Sequence, residues 1–116
     1  MSGLQGRALD EAVARAMGYG TRKLREGLWL LADSMGVAIP AYSTDAATLA
    51  EMLDWLTDFG TLRISANIYR HPDVFEIDLN PFDGVEVDVG HSERGETLNE
   101  AVARLVVAVA AAKVVK

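Results

Sequence analysis

No cysteine occurs among the 116 residues. Disulfides and thiolate metal sites are therefore unavailable, and a reducing compartment suits the chain. Histidine is scarce, with two residues, His71 and His91, both in stretches that read as turns or loops. Basic residues are in deficit, 11 Lys and Arg against 17 Asp and Glu, for a net charge of −6. Sequence-independent affinity for nucleic acid comes mostly from Lys and Arg neutralising phosphates, so nonspecific nucleic-acid binding is not expected. Long apolar runs are missing too. The longest, Leu105 to Ala112, is eight residues, against the roughly 20 that span a bilayer. Met1 to Gly6 is short and polar and the apolar positions after it are spaced, so no secretory leader and no membrane partner are predicted, and the expected location is cytoplasmic.

Half of the residues are hydrophobic and 24% are charged, which places the chain among globular proteins and away from disordered ones. Its length suits one domain over residues 1–116 with one core, since a chain of this size buries roughly two thirds of its unfolded surface.

Apolar spacing organises that domain. Leu9, Ala12, Val13, Ala16 and Met17 form one helical stripe, with Asp10, Glu11 and Arg15 facing away and Gly18 as a left-handed stop. Residues 24–39 fit two patterns. Leu24, Leu28, Leu31 and Met35 recur at helical spacing, whereas Leu28–Leu31 and Val37–Ile39 also read as a hairpin around Asp33–Gly36. A helix is predicted after Tyr42-Ser43-Thr44-Asp45, capped by Ser43 or Thr44, with Leu49, Met52, Leu53, Leu56 and Phe59 buried and Gly60 as its end.

Three alternating segments follow. Leu62, Ile64, Ala66 and Ile68 share a face opposite Arg63, Ser65, Asn67 and Tyr69. Phe75, Ile77 and Leu79 alternate with Glu76 and Asp78, and Val85, Val87 and Val89 with Glu86 and Asp88. Such alternation predicts an antiparallel meander with one buried face. Gly90–Gly95 reads as a polar loop, and Thr97-Leu98-Asn99-Glu100 as a capping box opening a last helix that is apolar nearly all round. Leu9–Arg15 (LDEAVAR) is echoed by Leu98–Arg104 (LNEAVAR), although two copies do not make a repeat architecture. The fold class expected is α+β: a three-stranded meander, with or without an extra hairpin, packed against two or three helices in an αβα-sandwich-like arrangement.

Three stretches carry a resemblance to a known family: Leu9–Tyr19 (LDEAVARAMGY), Trp29–Asp45 (WLLADSMGVAIPAYSTD) and Glu96–Ala112. Together they resemble the phage ABA sandwich domain, a family of small bacteriophage and prophage proteins. The resemblance implies helices on both sides of a sheet and favours a hairpin over residues 28–39. It implies no catalytic residues and places the protein in a host cytoplasm.

Catalytic chemistry finds little support. His91-Ser92-Glu93 sets a base, a hydroxyl and an acid side by side, but triads are assembled across space. Glu76, Asp78, Glu86 and Asp88, with Asp83 at a turn, share one sheet face; hard cations need converging oxygens, and side chains on a sheet stand parallel. No enzyme activity, metal or cofactor is expected.

The polar sheet face is the candidate ligand surface, through Arg63, Asn67, Tyr69 and Arg70, with Trp29 and Tyr42 adding aromatic surface if the hairpin folds beside it. Two functions compete. One is a phage accessory protein that binds a host protein or a nucleotide-like signal and so counteracts host defence. The other is an assembly protein that forms a homodimer or higher homo-oligomer through the apolar helix Leu98–Val115.

Overall fold

The computed structural model describes residues 6–18, 21–25, 28–31, 39–67, 69, 74–84 and 90–112, with the backbone alone for 21–25 and 28–31. The first apolar stripe becomes helix α1 (Gly6–Ala16), which buries Leu9, Val13 and Ala14. Gly18, at φ +95°, takes the left-handed stop that the sequence predicts. Asp10 departs from expectation, because it is buried instead of facing solvent. A buried carboxylate must be paired and hydrogen-bonded. Asp10 is both: its Oδ1 accepts the Ser43 backbone N–H at 2.8 Å and its Oδ2 accepts Arg7 Nη1 at 2.9 Å. Arg7 Nη2 in turn donates to the Ile39 carbonyl at 2.9 Å, so α1 is tied to the segment 39–43.

The two patterns offered by residues 24–39 resolve as strand, not helix, at residues 28–31. Strand β1 (Thr21–Arg25) pairs antiparallel with β2 (Leu28–Leu31). The partner described for β2 is β1, which precedes it, and the turn expected at Asp33–Gly36 lies outside the described residues. Thr-Arg-Lys-Leu-Arg carries no apolar alternation, which is why its strand is silent in the sequence. The proposed return strand, Val37–Ile39, lies mostly outside the described residues.

Ser43 and Thr44 do not cap the next helix. Ser43 is committed to α1, its N–H to Asp10 and its hydroxyl donating to the Gly6 carbonyl at 3.4 Å. Asp45 caps instead, accepting the Ala47 N–H at 2.9 Å, and a single 3-10 turn (Ala46–Thr48) leads into α2 (Leu49–Thr57). Met52 and Leu56 are buried, and Leu49, Leu53 and Phe59 pack against the core half-buried. Trp55 lies tilted against Phe59 with ring centroids 4.8 Å apart. Gly60 opens a strand instead of ending the helix. It pairs with Pro81 so closely that a Cβ would stand 2.2 Å from the Asn80 carbonyl oxygen.

The main sheet has the order β3–β4–β5, antiparallel throughout, from Gly60–Ala66, Phe75–Pro81 and His91–Gly95. This is the expected α+β fold, but the third described strand is the stretch that reads as a polar loop. Val85–Val89, the segment expected to pair, lies outside the described residues. In β4 the alternation holds, with Ile77 and Leu79 buried toward the helices. In β3 it weakens: Leu62 is half-buried, while Ile64 is 46% exposed and Ala66 is exposed. As an edge strand, β3 extends past the cover of the helices.

Helix α3 (Leu98–Ala112) begins with the expected capping box in altered form. Thr97 Oγ1 accepts the Glu100 N–H at 3.1 Å, and Glu100 Oε1 reaches back to the Glu96 N–H at 3.1 Å, not to Thr97. One side of α3 is covered from within the chain, while Val107, Ala108 and Ala110 are half-buried and Ala111 is exposed. Val102, Leu105, Val106 and Val109 are fully buried in a core shared with α1, α2 and β4, each contributing about 1.5–3 kcal/mol. The side of the Leu98–Val115 helix that carries Val102, Leu105, Val106 and Val109 is thus occupied by the chain's own core, and residues 113–115 lie outside the described residues.

The LDEAVAR and LNEAVAR echo has a structural counterpart. α1 packs on α3; Val13 and Val102 are buried at equivalent places, as are Ala14 and Ala103, and each helix carries the i, i+4 ion pair Glu11–Arg15 or Glu100–Arg104. The second position of each copy clasps the backbone of one segment, residues 42–48. Asp10 meets an N–H donor and Asn99 meets carbonyls: Asn99 Nδ2 donates to Tyr42 O at 3.2 Å and Asp45 O at 2.8 Å. The single Asp/Asn difference follows from that inversion of donor and acceptor.

Candidate functional site

Strand alternation gives the sheet two chemically distinct faces. On the face away from the helices, register sets Arg63 opposite Asp78 and Ser65 opposite Glu76, then Ser92 opposite Asp78 and Arg94 opposite Glu76. Glu76 Oε2 accepts Arg94 Nε at 3.0 Å and the Ser92 hydroxyl at 3.3 Å. The Arg94 side chain is about half exposed and that of Glu76 about a third, at 49% and 34%, so the pair contributes at most about 1 kcal/mol. Arg63, Ser92 and Arg94 are exposed. Glu76 thus pairs with a strand that sequence reasoning read as a loop.

The residues proposed from sequence fall in different places. Arg63 lies on this face. Asn67 is exposed just past β3, its N–H donating to Val74 O at 2.7 Å and its Oδ1 accepting the Tyr69 N–H at 2.9 Å. That local turn presents Tyr69 at 91% exposure. Tyr42 offers no aromatic surface, because it is 1% exposed inside the core; the clasp of α1 and α3 on residues 42–48 draws it inward. Trp29 is in β2, where the backbone alone is described, and Arg70 and His71 lie outside the described residues.

The other face of β5 closes a cavity. Leu9 of α1, His91 and Glu93 of β5, and Arg104, Val107, Ala108 and Ala111 of α3 line a space of about 200 Å³. Most of its wall is aliphatic, with one imidazole, one carboxylate and one guanidinium. His91 Nε2 is buried and has no hydrogen-bond partner among the described residues, a condition that costs about 1–3 kcal/mol. Burial pushes the Glu93 carboxyl above its ordinary range, against the opposing charge of Arg104. Arg104 is anchored, Nη1 donating to Arg94 O at 2.8 Å and pairing with Glu100 Oε1 at 3.2 Å.

His91, Ser92 and Glu93 therefore do not act as a triad: the first and third line the cavity while Ser92 bonds Glu76 on the opposite face. Among the described residues, no group of three or more His, Asp or Glu side chains is placed to hold a metal ion, and no helix is long and apolar enough to cross a membrane. Sequence reasoning missed Arg94 and the trio of His91, Glu93 and Arg104. The period-two spacing of His91, Glu93 and Gly95 is the only signal that would have revealed them. No protein-family model matches the chain, and no curated protein matches it either.

Proposed function

We propose that the chain is a small non-enzymatic binding protein that docks a protein partner on the polar face of β3–β4–β5. The observation that supports this is Tyr69, 91% exposed, held by Asn67 at the end of a strand that also presents Arg63. Tyrosine and arginine are enriched where protein interfaces concentrate their binding energy, since both offer large contact area and hydrogen bonds together. Arg63 and Arg94 face Asp78 and Glu76 one to one. That balance suits a partner surface of mixed charge better than a nucleotide-like signal, which needs an excess of cations around its phosphates. A role against host defence, with a host protein as the partner, is supported by the resemblance of residues 9–19, 29–45 and 96–112 to the phage ABA sandwich domain.

Isothermal titration of the chain against individual purified host-defence proteins, with cyclic dinucleotides and ADP-ribose in parallel, tests the proposal. A protein partner is expected to bind, and Arg63→Glu combined with Tyr69→Ala to weaken it by about 1,000-fold, given about 2 kcal/mol for each hot-spot side chain. Unchanged affinity in that variant, or binding of nucleotides alone, overturns the assignment. The assembly alternative is less favoured because Val102, Leu105, Val106 and Val109 of α3 lie in the chain's own core; a monomer is expected in sedimentation, and a dimer would favour the alternative.

A further inference from the structure

The cavity between α1, β5 and α3 lies behind the sheet and is independent of the polar face. Its dimensions limit what can enter. A 150 Å³ apolar cavity holds one benzene ring, so about 200 Å³ accommodates a single ring with one or two small substituents. Leu9, Val107, Ala108 and Ala111 supply an aliphatic wall for that ring.

Three polar groups restrict the head of the ligand. Glu93 and Arg104 line the same space with opposite charges, and each offsets the other. An anion would meet Glu93, and a cation would meet Arg104, so the balance selects an uncharged molecule. Arg104 is already held by Arg94 O and Glu100. The group in need of a partner is His91 Nε2, buried without one among the described residues. Neutral imidazole presents that nitrogen as donor or as acceptor, depending on tautomer. A hydroxyl satisfies either, because it both donates and accepts.

We propose that the cavity behind β5 is a binding site for a small neutral phenol, its ring against Leu9, Val107 and Ala108 and its hydroxyl on His91 Nε2. The ring removes apolar wall from contact with water, and the hydroxyl completes His91 Nε2, the one buried side-chain atom left open among the described residues. Both contributions are needed. A ring without a hydroxyl leaves His91 unsatisfied, and a hydroxyl without a ring leaves the wall uncovered.

The test uses the full chain with p-cresol and toluene, which differ by one hydroxyl, followed by titration in heteronuclear NMR spectra. p-Cresol is expected to shift the amide signals of residues 91–93 and 104–111 saturably, and toluene to bind about tenfold more weakly, the ratio that one net hydrogen bond supplies. Ala108→Leu fills the cavity and should abolish binding of both probes. His91→Phe should erase the difference between them while the far-UV circular dichroism stays native. The proposal is overturned if p-cresol produces no saturable shifts, if toluene binds equally well, or if Ala108→Leu leaves the p-cresol affinity unchanged. Should His91→Phe fail to fold, the two probes on the native chain and the Ala108→Leu variant still decide the matter.

Discussion

Asn99 is the polar residue on which the packing of α3 turns, and replacing its amide by the isosteric carboxylate tests that role. In the native chain Asn99 Nδ2 donates to Tyr42 O at 3.2 Å and to Asp45 O at 2.8 Å. Asp45 O also accepts the Thr48 hydroxyl at 2.7 Å and the Thr48 N–H at 3.0 Å, so Asn99→Ala leaves it partly satisfied. The bond to Tyr42 O is the buried one of the two. Each net hydrogen bond contributes about 0.5–1.5 kcal/mol, so losing both donations sets the Asn99→Ala penalty at about 2 kcal/mol. Asn99→Asp keeps the shape but points an acceptor oxygen at two carbonyls and buries an unpaired charge, for about 3–5 kcal/mol. At about 4 °C per kcal/mol for a chain of this size, Tm should fall by about 8 °C for Asn99→Ala and by about 12–20 °C for Asn99→Asp. Urea unfolding followed by circular dichroism at neutral pH and at about pH 5 gives the decisive comparison. Protonation restores a donor, so the deficit of Asn99→Asp relative to native should shrink as pH falls, while that of Asn99→Ala stays constant. If Asn99→Asp is no less stable than Asn99→Ala at neutral pH, the donor inversion between the two helices is wrong.

Asp10→Asn probes the other half of that pair: one oxygen that accepts Arg7 or the Ser43 N–H becomes a donor, and urea unfolding should show a loss of about 2 kcal/mol. Gly60→Ala places a Cβ 2.2 Å from the Asn80 carbonyl oxygen, so the β3–β4 pairing must shift and stability should fall by about 3 kcal/mol, read as a lower urea midpoint. Glu93→Gln tests the burial that raises the Glu93 carboxyl. With the folded-state value above the unfolded one, the native contribution is complete below the ordinary carboxylate range and is lost as pH rises through the folded value. The Tm of Glu93→Gln relative to native should therefore increase between about pH 4 and pH 7, and a constant difference would contradict the burial.

Much of the fold is legible in the sequence where apolar side chains recur on one side. Leu9 and Val13, Met52 and Leu56, and Ile77 and Leu79 mark their elements because burying each side chain outweighs any local propensity. Polar residues mislead wherever tertiary contacts satisfy them. Asp10 and Asn99 look like solvent positions on a hydropathy scale, yet both are buried because backbone groups of residues 42–48 pair with them. Ser43 has the chemistry of a cap, but its hydroxyl bonds the Gly6 carbonyl 37 positions back. Thr21–Arg25 becomes a strand through pairing with Leu28–Leu31, and nothing in a single strand's own composition announces its partner.

β5 shows why the candidate sites were the hardest part to see. A strand that covers helices on one side ordinarily writes apolar residues at every second position. β4 does so: Leu79 and Ile77 point inward. Their register partners in β5 are His91 and Glu93, on the same inner face and against the same helix. Valine at either position would bury apolar area in place of an imidazole nitrogen without a partner among the described residues and a carboxylate that burial disfavours. Stability alone therefore does not account for these two residues. Because the outward residues Ser92 and Arg94 are polar as well, all four side chains from His91 to Arg94 are hydrophilic, and the strand is disguised as a loop. The departure from ordinary patterning and the open hydrogen-bonding atom coincide at one wall of one cavity. Local violations of a fold's own rules concentrate where a sequence serves binding as well as folding.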